Sequence, residues 1–225
     1  MKTMFASACV VLFASILVGR ASDDPPTSIL GSDLTGWMNS KGDAYDGQVE
    51  TPGKKGPGWT LAEGVLVRSG SGGGYIWTQK RYGDFVLELE VKTRGNSGIF
   101  FRTDNVKDPV QTGLELQILT QGGPDQRKGF CSIYDVQAPS KVVTCGMDQW
   151  RHLTLRCNDN VVRVLLDGEQ VNELDLNQWT QAHKNPDGSP NKYKRPIKDY
   201  AREGHIGFQD HGSEVRYRNI RIKKL

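Results

Sequence analysis

Apolar and polar residues alternate at every second position along much of this chain, and no other feature limits its fold as much. From Phe85 to Lys92, Phe85, Leu87, Leu89 and Val91 fall on one side and Glu88 and Glu90 on the other. From Leu114 to Leu119 the apolar set is Leu114, Leu116 and Ile118, with Glu115 and Gln117 opposite, and Leu153, Leu155 and Cys157 align in the same way. Side chains two apart share a face only on an extended chain, so each segment reads as a strand with one packed face. Helix-period segments are nearly absent, and 26 Gly and 10 Pro supply turns. Glu63-Gly64 and Asp167-Gly168 mark hairpins within 59–67 and 161–171, and Gly129 to Val136 reads as a further strand closed by Ala138-Pro139. The fold class that follows is all-β, two packed antiparallel sheets.

The first 21 residues stand apart. Lys2 precedes an apolar run from Cys9 to Val18, and Gly19-Arg20-Ala21 offers small residues for cleavage. The expected organisation is a signal peptide at 1–21, too short for a membrane span, a linker at 22–28 and a single β-sandwich domain at 29–225. The mature chain is expected to be secreted or periplasmic and free of the membrane. Its remaining cysteines, Cys131, Cys145 and Cys157, allow one disulfide plus a thiol or three buried thiols, and no spacing resembles a zinc site. A net charge of +3 without a basic stripe argues against nucleic acid as a partner. Ser69 to Gly74 is glycine-rich but lacks GK[ST] and reads as a turn.

The candidate site lies off the core. Ile99 and Phe101 share a side, which predicts Phe100 and Arg102 on the other, together with Glu115 and Gln117 of the next strand. Ile206 and Phe208 pack, so Gln209 and His211 are expected to project from the opposite face. The long irregular stretch from Gln178 to Arg202 is a place where function can reside, and its Trp179 is the best of five tryptophans for stacking on a sugar. Glu88 and Glu90 share a strand face, the placement that ordinary retaining glycosidases use for two carboxylates.

Several motifs occur in a telling order: Tyr82-Gly83-Asp84-Phe85, Gly95 to Arg102, Gly113 to Leu119, Ile133-Tyr134-Asp135, Gly207 to Gly212 and Arg218-Asn219-Ile220-Arg221-Ile222. Together they resemble the bacterial 3-keto-glycoside lyase/hydratase family, also called 3-keto-disaccharide hydrolase, from about Ile29 to Leu225. The resemblance implies a concanavalin A-like jelly-roll sandwich with a sugar site on its concave face. Thr120 stands where the family often has Asp. The implied substrate is an oxidised sugar or oligosaccharide, with a sugar 3-dehydrogenase as the partner that supplies it. A ketone at C3 acidifies the C2 proton, so a base can remove it while the C1 substituent departs and water then adds. His211 or Glu115 can be that base and Arg102 the fixed cation for the enolate. Asn96, Gln117 and Gln209 can orient the ring, and Tyr134 or Asp135 can serve as acid. No cofactor is expected, although a divalent metal is compatible with these residue types. The alternatives are the retaining glycosidase and a non-catalytic, lectin-like glycan-binding module.

Overall fold

The computed structural model describes residues 25–45, 58–68 and 74–225. The expected signal peptide, residues 22–24 of the linker and most of the glycine cluster lie outside them. Strands follow in chain order: β1 (Thr27–Ser28), β2 (Trp37–Met38), β3 (Trp59–Ala62), β4 (Val65–Arg68), β5 (Ile76–Tyr82), β6 (Phe85–Thr93), β7 (Asn96–Thr103), β8 (Leu114–Leu119), β9 (Arg151–Asn158), β10 (Val161–Leu166), β11 (Glu169–Asp175), β12 (Gly204–Phe208) and β13 (Val215–Lys224). Between β7 and β8 lies one helical turn, Pro109–Thr112, which carries no cap side chain.

Two antiparallel sheets result. The back sheet runs β11-β10-β9-β6-β13-β4-β3, with β1 also on β13, and the front sheet runs β2-β5-β12-β7-β8. Thr27 pairs with Ile222 and Ser28 with Arg221, so the back sheet takes in the last two residues of the expected linker. The alternating residues meet between the sheets: Phe85, Leu87, Leu89, Leu153 and Leu155 from the back, Ile99, Phe101, Leu114, Leu116, Ile118, Ile206 and Phe208 from the front. Burying such side chains stabilises each by about 1.5–3 kcal/mol over leaving it in water. Cys131, Cys145 and Cys157 are free and buried, which leaves no disulfide among them. Burial pushes the Cys145 thiol up to about 11 and that of Cys157 to about 12. Among the described residues no helix is long and apolar enough to cross a membrane.

The segment from Gly129 to Val136 is not the expected strand. Cys131 and Asp135 sit at φ 63° and 64°, so the chain cannot stay extended there. It forms a tight loop folded against the edge of β8, where Gln117 N donates to Ser132 O at 2.9 Å and Tyr134 N to Glu115 O at 2.9 Å. The loop thereby covers an edge that would otherwise expose unpaired backbone.

Candidate active site

Register decides which side chains meet on the outer face of the front sheet. Gly207 stands opposite Trp77 on β5 and Phe100 on β7, and Phe100 opposite Glu115 on β8. Directly opposed residues of antiparallel strands share a face, so Trp77, Gly207, Phe100 and Glu115 form one row across four strands. The next row is Tyr75, Gln209, Gly98 and Gln117, since Gln209 N continues the ladder to Gly98 O at 2.9 Å. The glycines make room. A Cβ at Gly207 would enter the Trp77 ring, and one at Gly98 would collide with the Glu115 carboxyl. Tyr75 stacks on Phe100 at 5.4 Å and meets Trp77 edge-on at 5.6 Å. Val106 and Val110 pack on this aromatic half of the face, and the buried Glu115, Gln117 and Gln209 make up its polar half.

Glu115 is only 4% exposed. Burial pushes its carboxyl above the ordinary glutamate range, against the Lys192 ammonium, His211 and Gln209, which pull it down. Lys192 Nζ stands 3.8 Å from Glu115 Oε2. Burial also lowers the lysine, against Glu115 and Asp135, so for both partners desolvation outweighs mutual attraction. Gln117 donates to Asn96 Oδ1 at 3.2 Å, yet its Oε1 and that of Gln209 are buried without a partner. Buried carboxamides are seldom left so. Whichever way each amide is turned, a sugar hydroxyl can complete it, because a hydroxyl both donates and accepts.

The turn after β12 is braced from the other sheet. Asp210 Oδ2 pairs with Arg68 Nη2 at 2.8 Å, with both side chains buried, and Asp210 Oδ1 accepts from Gly212 N at 2.9 Å. Ser97 Oγ donates to Gln209 O at 2.7 Å. Together these aim Gln209 inward and leave His211 exposed at the rim, near enough to Glu115 to act on its charge. Of the two acid candidates, Tyr134 lies under Lys192, whose Nζ is 4.2 Å from the ring centroid. Asp135 instead accepts from Lys192 N at 2.7 Å and acts as a brace.

Glu115, Gln117, Asn96, Gln209, His211, Tyr134 and Asp135 therefore gather in one place, and two expected members do not. One extra residue in β7 breaks the alternation: Thr103 opposes His205 while Phe100 opposes Gly207, and Arg102 takes φ 49°. Its side chain turns to the far end of the strand, donating to Gly83 O at 3.0 Å, Asp159 O at 2.6 Å and Asp84 Oδ1 at 2.8 Å. Arg102 is a clamp between turns. Trp179 is 2% exposed, donates from Nε1 to Asn185 Oδ1 at 2.8 Å and borders a separate cavity, away from this face. Glu88 and Glu90 lie on the outer face of the back sheet, and Glu90 accepts from Arg218 Nε at 2.9 Å and Nη2 at 3.1 Å. Lys192, Tyr75 and the Arg68–Asp210 pair escaped the sequence reading. Only Tyr75 carried a signal, its alternation with Trp77 around the buried Ile76.

A cavity of about 660 Å³ lies elsewhere, lined by Arg127, Gln137, Gln178, Trp179 and Asn185 among others. Among the described residues no three of His, Cys, Asp and Glu group as metal ligands.

A family model described as a 3-keto-alpha-glucoside-1,2-lyase-like domain matches residues 25–223. A 3-keto-disaccharide hydrolase from Bacteroides thetaiotaomicron is 28% identical over 234 residues, covering 87% of this chain and 76% of its own. A crystal structure of a proposed glycosyl hydrolase from Parabacteroides distasonis is 30% identical with a TM-score of 0.71, covering 75% of this chain and 90% of that one. A second from the same organism, 23% identical with a TM-score of 0.63, shares the fold.

Proposed function

The chain belongs to the 3-keto-alpha-glucoside-1,2-lyase-like family, and from that premise we propose that it cleaves 3-keto-glycosides by elimination at C1–C2 followed by addition of water. The family and its curated homologue support a carbohydrate-active, glycoside-cleaving enzyme. The finer reading rests on one observation. Glu115 is a buried carboxylate of raised basicity on a sheet face lined by incompletely bonded carboxamides.

Glu115 takes the C2 proton, a task that favours a carboxylate tuned upward by burial. The electron pair moves onto the C3 oxygen as an enolate. When the ketone re-forms, the C1 substituent departs with a proton from His211 at the rim, leaving a 2-hydroxy-3-keto-glucal. Water then adds across that double bond to release the 3-keto sugar. Atoms balance as a hydrolysis, and the oxidation that made the ketone is the work of a separate sugar 3-dehydrogenase. Gln117, Gln209 and Asn96 orient the ring hydroxyls, and Tyr75 offers a partly accessible aromatic face.

Arg218 and Asn219 hold the Glu90 carboxyl below its usual range, which suits it poorly to the acid's part in the retaining alternative. The test is incubation with a 3-keto-glucoside in heavy water. The expected product carries deuterium at C2, and unoxidised nitrophenyl glycosides stay intact. Saturable binding without product would favour a lectin-like module, and turnover of the unoxidised glycoside would favour the glycosidase.

A further inference from the structure

We infer that Lys192 supplies the positive charge that receives the enolate oxygen at C3, the part that strand alternation assigned to Arg102. The inference rests on the elimination reading above and adds a catalytic residue to it.

Elimination through an enolate needs a cation or donor fixed beside the base, because the charge that leaves C2 accumulates on the neighbouring C3 oxygen. Arg102 is spent at the far end of β7 on two carbonyls and Asp84. The ammonium of Lys192 stands 3.8 Å from Glu115. That spacing couples the two charges but exceeds hydrogen-bonding distance, so neither group saturates the other. C2 and the C3 oxygen of one sugar are two bonds apart, a separation that base and cation can serve together.

A lysine on an irregular segment would ordinarily wander, and this one is built in. Lys192 N donates to Asp135 Oδ2 at 2.7 Å, and Lys192 O accepts from Gln111 Nε2 at 3.1 Å. Gln111 Oε1 accepts from Lys194 N at 2.9 Å, and the buried Tyr193 anchors through its hydroxyl to Tyr134 O at 3.1 Å. The side chain then lies across the Tyr134 ring, whose π-face favours a cation. Lys128, a second cation acting on Tyr134, is held by Asp125 at 3.2 Å. Proton transfer to Glu115 thus leaves an enolate beside an ammonium already in place, with no need to reorganise.

The test compares wild type, Lys192→Met and Lys192→Arg on a 3-keto-glucoside in heavy water, reading kcat, KM and C2 deuterium incorporation, with thermal unfolding as control. Expected for Lys192→Met is a fall in kcat of about 10²–10³-fold, with KM within a few-fold and the unfolding midpoint little changed. Lys192→Arg should recover part of the rate, since a charge and not a nucleophile is required. Wild-type exchange that survives in Lys192→Met within threefold would overturn the assignment alone. So would a borohydride-trapped adduct on Lys192, which would make the lysine a covalent ketimine former. A wild type inert toward the 3-keto sugar overturns the elimination reading, and the role of Lys192 with it.

Discussion

Strands β6 and β8 spell nearly the same pattern, Leu87-Glu88-Leu89-Glu90 and Leu114-Glu115-Leu116-Gln117, and their carboxylates end in opposite chemical states. On both, the leucines enter the shared core. The outer face of β6 is open, so Glu90 is partly solvated, accepts two bonds from Arg218 and is held acidic. The 129–137 loop closes the edge of β8 and Lys192 stands beside Glu115 on its outer face, and Glu115 is desolvated and held basic. Alternation places a carboxylate off the core, and what covers that face decides whether it titrates as a surface acid or as a base.

The largest way to break this contrast is to swap each carboxylate for its amide. Glu115→Gln should lower kcat on a 3-keto-glucoside by about 10³-fold, as removal of a positioned base does, while Glu90→Gln should leave kcat within about twofold on the same scale. Equal losses would erase the distinction.

Next comes the brace between the sheets. Arg68 belongs to the back sheet yet holds the front-sheet turn bearing Gln209 and His211. Arg68→Met leaves Asp210 buried without its guanidinium and should cost about 3–5 kcal/mol in denaturant unfolding. Arg102→Met should cost less, about 1–3 kcal/mol, because its partner Asp84 is 39% exposed, and kcat of the folded enzyme should stay near wild type. A large kcat loss with unchanged stability would return Arg102 to the site.

The smallest effect is on stability against pH, where the two strands should differ in sign. Burial raises Glu115 in the folded chain, so the native state keeps that proton to higher pH than the unfolded state, whose carboxyl titrates near about 4.3. Its contribution to stability is present below that value and declines as pH rises through the folded pKa. Glu90 is lowered, so its contribution is present above the unfolded pKa and is lost as pH falls through the folded one. Glu115→Gln should flatten the neutral limb and Glu90→Gln the acid limb, the latter by under about 1 kcal/mol for a partly solvated pair. The acid limb of kcat/KM should likewise lie above the ordinary glutamate range.

Much of the site could be read from the chain because it depends on strand period. Glu115 and Gln117 project as alternation requires, since β8 stays extended through both positions, whereas Gln209 and His211 lie in the turn after β12, which ends at Phe208, and are held there by the Asp210 and Ser97 contacts. Arg102 failed where one residue with φ 49° inserted itself into β7, and the loop from Gly129 failed at Cys131 and Asp135 for the same reason. Left-handed backbone at a non-glycine residue has no spelling of its own. Lys192 had no periodic neighbours to mark it, and Trp179 was misjudged because an irregular segment can still bury its own core.

By itself the sequence determined the all-β class, the two-sheet core and the family, because hydrophobic period and ordered motifs are local and survive without knowledge of what packs where. Only the tertiary structure decided which carboxylate is desolvated, which cation stands beside it and which arginine is merely a clamp. Those outcomes depend on register between strands and on loops folded over one face, and the electrostatics of a buried pair follow from distance and burial, neither of which is written in the order of residues.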